Sequence, residues 1–199
     1  MPRKLTIVIP SMGKSCLQDC LKSIFENTKP EEEFDVIIVK NYQKGYSIPV
    51  NNGIRLADKN SDILLLNDDI IIEEPFIEKL YEPLKDGIKN IGLVSHDMIK
   101  YGFKDRQLGR SNFAFVLIPR ETINKVGLLD EEYILSAQDM DYCYRVSEVN
   151  KLMQKKVDIK VKHWPSSQTV KDMDTPEIHN KDNLLFEKKW FSEDGNDRN

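Results

Sequence analysis

The sequence predicts an α/β protein in which helices flank a mostly parallel central sheet, and three features of the 199-residue chain carry that reading. Short, wholly apolar runs rich in Ile, Leu and Val recur, as strands buried on both faces require. Between them lie segments whose apolar residues fall at helical spacing. The length suits one domain with a substantial core and calls for no linker, so residues 1–191 are read as one domain and 192–199 as a disordered tail.

Leu5-Thr6-Ile7-Val8-Ile9-Pro10 reads as a buried strand stopped by Pro10, with Ser11-Met12-Gly13 turning into a helix over 14–27. Cys16, Leu17, Cys20, Leu21, Ile24 and Phe25 give that helix its core face. Phe34-Asp35-Val36-Ile37-Ile38-Val39 is the next strand, ending at Lys40-Asn41. Gly45 and Tyr46 lead to a helix over 48–57 with Asn51, Asn52 and Gly53 in its early turns, where asparagine commonly caps. Next, Ile63-Leu64-Leu65-Leu66 runs into Asn67-Asp68-Asp69 and turns apolar again at Ile70-Ile71-Ile72. Pro75 opens a helix over 76–84, and Gly92-Leu93-Val94-Ser95 is a strand.

From 96 to 112 the pattern dissolves into a polar segment read as a long functional loop. A strand over 113–119 and a helix over 120–126 follow, the helix closed by Gly127. Gln138-Asp139-Met140-Asp141 begins another helix. Val157 to Lys162 alternates apolar and charged residues, the pattern of an edge strand, and His163 closes it. Beyond that, only 183–191 reads as a helix.

Composition narrows the classes of partner. A net charge of -4 and a pI near 5.5 leave no basic excess for nucleic acid, so any phosphate must be held locally. Cys16, Cys20 and Cys143 cannot all pair and are read as reduced core residues of a cytoplasmic protein. No apolar run approaches a membrane span, and Met1-Pro2-Arg3-Lys4 carries no signal-peptide pattern.

Asp68 and Asp69 stand at the carboxyl end of a buried strand, where ligands of such sheets gather. Adjacent carboxylates repel, so a cation is expected beside them, although Asn-Asp-Asp is equally good chemistry for a plain turn. Asp139 and Asp141 fall in the first turn of a helix, where the dipole favours negative charge and capping alone would explain them.

The order of these signals is more specific than any one of them. A strand ending in Pro-Ser, a strand ending at Lys40-Asn41, Gly-Tyr before Asn-Asn-Gly-Ile, and an apolar strand into Asn-Asp-Asp come first. Val-Gly-Leu-Leu-Asp-Glu-Glu-Tyr and Gln-Asp-Met-Asp-Tyr-Cys-Tyr-Arg follow. Over about residues 5–163 this succession resembles the GT-A fold glycosyltransferases of the family 2 type, whose sheet is Rossmann-like. The resemblance implies a hexosyltransferase-like enzyme that moves a sugar from a nucleotide-diphosphate sugar to an acceptor hydroxyl on a glycan, lipid or protein. It also implies Mn²⁺ or Mg²⁺, and places Asp69 first as ligand, Asp68 sharing the ion or reaching the ribose, and His163 as a further ligand. Asp139 matches the family's base, while Asn67 and Gln138 stand where the family is acidic.

On the donor side the resemblance assigns Pro10, Ser11 and Met12 to the loop that holds the base, with Met12 in place of an aromatic residue. Lys40 replaces an Asp at the end of the second strand, and Asn41, Lys44, Asn51 and Asn52 are further candidates. Asp141 points about 200° round the helix from Asp139 and is read with Arg145 as a structural pair. A single base and no enzyme nucleophile fit inversion at the sugar carbon.

Two other readings stay open. Asn67, Gln138 and Lys40 also suit a decayed transferase fold that binds nucleotide or serves in assembly. A nucleotidyltransferase would need a Gly-rich phosphate loop, and Pro10-Ser11-Met12-Gly13-Lys14 holds one Gly. Leu184, Leu185, Trp190 and Phe191 form a possible docking patch for a membrane surface or partner, or else pack back on the domain.

Overall fold

The computed structural model describes residues 4–13, 15–40, 45–85, 90–103, 106–163 and 176–192. In chain order the first half comprises β1 (Leu5–Ser11), α1 (Cys16–Glu26), β2 (Phe34–Lys40), α2 (Ser47–Leu56), β3 (Asp62–Leu66), β4 (Ile70–Ile72) and α3 (Ile77–Lys85). The second half comprises β5 (Ile91–Ser95), β6 (Met98–Phe103), β7 (Arg106–Ser111), β8 (Phe115–Ile118), α4 (Arg120–Val126) and α5 (Gln138–Tyr144). A π-helical turn (Arg145–Val149), β9 (Met153–Lys156), β10 (Val161–His163) and α6 (Pro176–Phe191) complete it.

Six strands form the central sheet in the order β2-β1-β3-β8-β5-β9. Only β8 runs against its neighbours; the other pairings are parallel. Leu5, Ile7 and Ile9 turn to one side of β1 and Val8 to the other, as Leu64 and Leu66 oppose Ile63 and Leu65 on β3. All are buried, which is why these strands read as continuous apolar runs. One face is covered by α1 and α3 through Cys20, Ile24 and Leu80, the other by α2, α4 and α5 through Val50, Ile54, Ile123 and Tyr142. The domain is therefore mixed α/β, with a mostly parallel sheet between helices.

Four expectations are corrected. Pro10 does not stop β1: it pairs with Val39, and the strand runs on to Ser11, opposite Lys40. Pairing with β3 ends at Val8, so Pro10 lies where β1 has a neighbour on one side only and a missing N–H is tolerated. The supposed loop over 96–112 is largely a hairpin, β6 with β7, in register from Met98 opposite Ser111 to Phe103 opposite Arg106. Its many charged residues hide the alternation, because it lies beside α5 and not within the sheet core.

The edge strand is β9, earlier than expected, pairing in parallel with β5. Val157 and Ile159 are buried without a ladder, and the chain regains strand form only at β10, which pairs with β4. The C-terminal helix begins at Pro176, well before 183, since its inner face opens with the buried carboxylate Asp182 and only then Phe186. An apolar-periodicity reading cannot see such a start.

Cys20 and Cys143 are buried and Cys16 half-buried, all as free thiols. No helix among the described residues is long and apolar enough to cross a membrane. Residues 193–199, with the disorder expected there, lie outside the described residues.

Candidate active site

The buried strand β3 is followed by Asn67, whose N–H donates to Ala114 O at 2.9 Å and whose carbonyl accepts from Ile70 N–H at 3.3 Å. The segment is thus a tight turn, and the turn presents two carboxylates. Asp68 is 7% exposed and accepts from Ser11 Oγ at 2.5 Å, while the same Oγ accepts from Gly13 N–H at 2.9 Å. The Pro10-Ser11-Met12 stretch and the carboxylate turn are locked together by that hydroxyl. The first turn of α1 lies in the field of both carboxylates: burial first, then Asp68 and Asp69, raise the Cys16 thiol and push Cys20 up to about 12.

Asp69 faces β10. Antiparallel pairing sets His163 opposite Ile70, and this brings His163 Nε2 within 3.3 Å of Asp69 Oδ1. The hydrogen bond to Asp69, followed by its charge, holds the imidazole above its ordinary pKa against the opposing effect of burial. His96, at the end of β5, stands edge-on to Phe115 with ring centroids 5.6 Å apart, and burial keeps its pKa low. The charge of His163 acts in the same direction.

The spacing of the Asp69 and His163 atoms suits a shared ion. Two ligands at right angles around an ion with bonds of about 2.1 Å stand roughly 3 Å apart. Among the described residues no cluster of three His, Cys, Asp or Glu side chains is set to hold a metal. An ion there would need further oxygen ligands from elsewhere.

Asp139 is the second residue of α5, whose N-cap Ala137 takes a left-handed φ of 63°. Its Oδ1 accepts from Met140 N–H at 2.8 Å, and its Oδ2 accepts from Arg110 of β7. Asp141 looks elsewhere. It is fully buried and receives Arg145 Nε at 2.8 Å, Trp190 Nε1 at 2.9 Å and Lys189 Nζ at 2.8 Å. The two carboxylates of this helix thus have separate partners, as the roughly 200° between them requires.

Tyr46, part of the Gly-Tyr signal but given no role from sequence, joins the two halves. The Tyr46 N–H donates to Ile134 O at 2.9 Å, and its hydroxyl lies 3.1 Å from Phe113 O and 3.4 Å from Asn67 Oδ1. One side of Tyr46 therefore touches the loop before Asp139 and the other touches the turn of Asp68 and Asp69. Gly45 makes the approach possible: its φ is +77°, and a Cβ there would collide with the Ile134 carbonyl. The loop itself is pinned by Asp182 of α6, which is fully buried and accepts the N–H groups of Ile134, Leu135 and Ser136.

The donor-side candidates are dispersed. Ser11 and Lys40 are register partners at one end of the sheet, with Lys40 exposed and Met12 half-buried beside them. Asn52 is exposed and accepts from Arg55 at 3.2 Å. Asn51 is buried, and it both donates to Leu129 O at 2.8 Å and accepts from Leu129 N–H at 3.0 Å, a structural clamp. Asn41 and Lys44 lie outside the described residues. Arg110 and Asp182 had no motif to announce them, and Tyr46 belonged to the Gly-Tyr signal without a role of its own; each matters through contacts 21 or more residues away in the chain.

At the C-terminus, Trp190 stacks on Tyr144 at 4.7 Å and Phe191 meets the same ring at 5.6 Å, while Leu184 is 64% exposed. The aromatic end of α6 packs on α5.

No family model matches the sequence, and no curated protein matches it. Solved structures do match in three dimensions. Protein A197 from STIV superposes with a TM-score of 0.54 at 16% identity, covering 82% of this chain and 86% of that one. The Drosophila β1,4-galactosyltransferase 7, solved with manganese, UDP-Gal and xylobiose, gives 0.61 at 13% identity, covering 87% and 76%. GalNAc-T7 with UDP, GalNAc and Mn²⁺ gives 0.64 at 13% identity, covering 81% of this chain but 44% of that one. Likeness at such low identity speaks for architecture, and the architecture is the α/β sheet of the GT-A glycosyltransferases.

Proposed function

We propose that the protein is a metal-dependent glycosyltransferase that moves a sugar from a nucleotide-diphosphate sugar to an acceptor hydroxyl, with inversion. The observation that carries this reading is the meeting of Asp69 and His163 at the carboxyl end of β3, with Asp68 fastened to the Ser11 loop alongside. The GT-A architecture, shared with solved enzymes that hold manganese and a nucleotide sugar, points the same way.

In this reading Asp69 and His163 hold the ion, and the imidazole favours Mn²⁺ over Mg²⁺, which prefers all-oxygen surroundings. The ion supplies charge stabilisation to the departing diphosphate, commonly worth several kcal/mol. With two protein ligands the site fills when the diphosphate brings its own oxygens. Ser11 orients Asp68 toward the donor, and Lys40, its register neighbour, supplies positive charge near the phosphates. Asp139 takes the proton of the acceptor hydroxyl. The Tyr46 bridge and the Asp182 buckle tie the loop before Asp139 to the carboxylate turn.

The test is a thermal-shift and donor-hydrolysis assay with UDP- and GDP-sugars and Mn²⁺. Nucleoside diphosphate should raise Tm only with Mn²⁺ present, since a ligand specific to the native state must stabilise it. Asp69→Ala should abolish that shift and donor turnover. Asp139→Asn should keep the shift and lose about 10²- to 10⁴-fold in turnover, the usual worth of a positioned base. Both variants should melt near the wild-type temperature. Metal-independent binding, or full turnover in either variant, would overturn the assignment.

A further inference from the structure

Both oxygens of the Asp139 carboxylate are engaged. Oδ1 holds the N–H of Met140 and Oδ2 the guanidinium of Arg110, so an incoming hydroxyl has to compete with Arg110 at Oδ2. A carboxylate paired with arginine is also a weaker base than a free one. If Asp139 is the base of the reaction proposed above, it reaches its full basicity only once Arg110 has left it.

The surroundings suit such a departure. Arg110 Nε and Gln138 Oε1 are both buried and have no hydrogen-bond partner among the described residues, a donor and an acceptor flanking Asp139 with capacity to spare. The backbone on either side of Arg110 is fixed: Gln154 donates to Gly109 O at 3.2 Å and accepts from Ser111 N–H at 2.7 Å. The side chain can therefore move while the hairpin stays in place.

Electrostatics then restrict what can replace Asp139 as its partner. The Arg110 side chain is only 24% exposed, and a cation so placed that loses its counter-charge is strongly unfavourable. A carboxylate or phosphate fits a guanidinium fork, and a neutral hydroxyl does not compensate the charge.

From this we propose that Arg110 guards the base, occupying Asp139 until an acceptor carrying a carboxylate or phosphate draws it away. Arg110 is a positioning residue in this scheme, and its effect is to suppress wasteful hydrolysis. In transfer, Asp139 Oδ2 takes the proton of the acceptor hydroxyl as that oxygen bonds to the sugar carbon. The bond from that carbon to the diphosphate breaks, its electron pair leaving on the diphosphate oxygen. Water reacting in the same way would release free sugar, and the Arg110 contact slows it by holding Oδ2 and lowering its basicity.

The experiment compares the full chain with Arg110→Gln, Arg110→Lys, Asp69→Asn and Asp139→Asn, with Mn²⁺ and the UDP- or GDP-sugar that the wild type turns over. Without acceptor, Arg110→Gln should hydrolyse donor several- to about tenfold faster than wild type, and Arg110→Lys should restore the wild-type rate. Two probe pairs, glycerol 3-phosphate against glycerol and glucuronate against glucose, then identify the anion. In the wild type the charged member of one pair should raise donor turnover over its neutral partner, and Arg110→Gln should erase the difference while leaving the donor KM unchanged. Circular dichroism and Tm of each variant check folding. If Arg110→Gln hydrolyses no faster and neither pair separates, while Asp69→Asn and Asp139→Asn still lose turnover, Arg110 is merely structural and this proposal falls alone. If those two variants keep full turnover, or no donor is turned over at all, the transferase reading falls and takes this one with it.

Discussion

Replacing Asp182 by Ala should be among the most destabilising single changes in the chain. The carboxylate is fully buried and accepts Ile134 N–H at 3.0 Å, Leu135 N–H at 2.8 Å and Ser136 N–H at 2.8 Å. A hydrogen bond to a charged group contributes about 1.5–3 kcal/mol, and three from successive amides act as a unit, so simple addition overstates the total. Residues 134–136 are half-exposed, and water can replace part of what is lost. The net cost is about 3–5 kcal/mol, which for a chain of this size lowers Tm by roughly 6–20 °C. Urea unfolding followed by circular dichroism gives the free energy directly. Asp182→Asn keeps an acceptor but loses the charge, and should fall between wild type and Asp182→Ala. A loss below about 1 kcal/mol in Asp182→Ala, with an unchanged denaturant slope, would show that the loop before α5 is not held by α6.

Three further outcomes follow from contacts elsewhere. Asp141→Asn removes the counter-charge of Arg145 and Lys189 in a fully buried position and should cost about 3–5 kcal/mol in the same unfolding assay. Gly45→Ala forces a side chain onto the Ile134 carbonyl at a φ of +77°, whereas Gly13→Ala has the same φ with open space around it. Gly13→Ala should cost about 1–2 kcal/mol and Gly45→Ala clearly more, and equal losses would refute the clash. His163, raised above 6.5 by Asp69, contributes stability that is fully present below pH 6.5 and disappears as pH rises through the raised value. The side chain is 49% exposed, so the effect is small; the difference in Tm between wild type and His163→Gln should shrink across that range, while Mn²⁺ binding, which needs neutral imidazole, tightens.

Sequence patterning reached the parts of the fold in which burial is apolar and local. The strands β1, β3 and β8 declare themselves because both faces are covered, and α1 and α4 because one face is. Elements whose partners are polar did not. The hairpin β6–β7 and the first two turns of α6 face the domain with Ser111, Asp182 and their like, residues that read as loop in any hydropathy scan. Asp182 is buried because it satisfies backbone amides, and no spacing rule encodes that. The site divides in the same way. Asp69 and His163 were picked out through the resemblance; Asp69 immediately precedes β4 and His163 closes β10, and pairing of those two strands joins them. Tyr46 and Arg110 were not, because their meaning lies in contacts with distant carbonyl and carboxylate groups.

The departure at Asn67 has a physical explanation in the turn itself. Asp68 is 7% exposed and the Asp69 side chain 15%, so the turn already carries two poorly solvated carboxylates. A third, at residue 67, would raise their mutual repulsion and place a charge beside the Tyr46 hydroxyl, which lies 3.4 Å from Asn67 Oδ1. Burial and the charge of Asp69 already keep that hydroxyl protonated, its pKa pushed well above the usual tyrosine value. An amide oxygen offers Tyr46 an acceptor without adding charge. The bridge between the carboxylate turn and the loop before Asp139 therefore has what it needs, and the ion proposed above retains Asp69 and His163. Asn67 thus serves the link between the carboxylate turn and the loop before Asp139, a role that asks for a neutral acceptor.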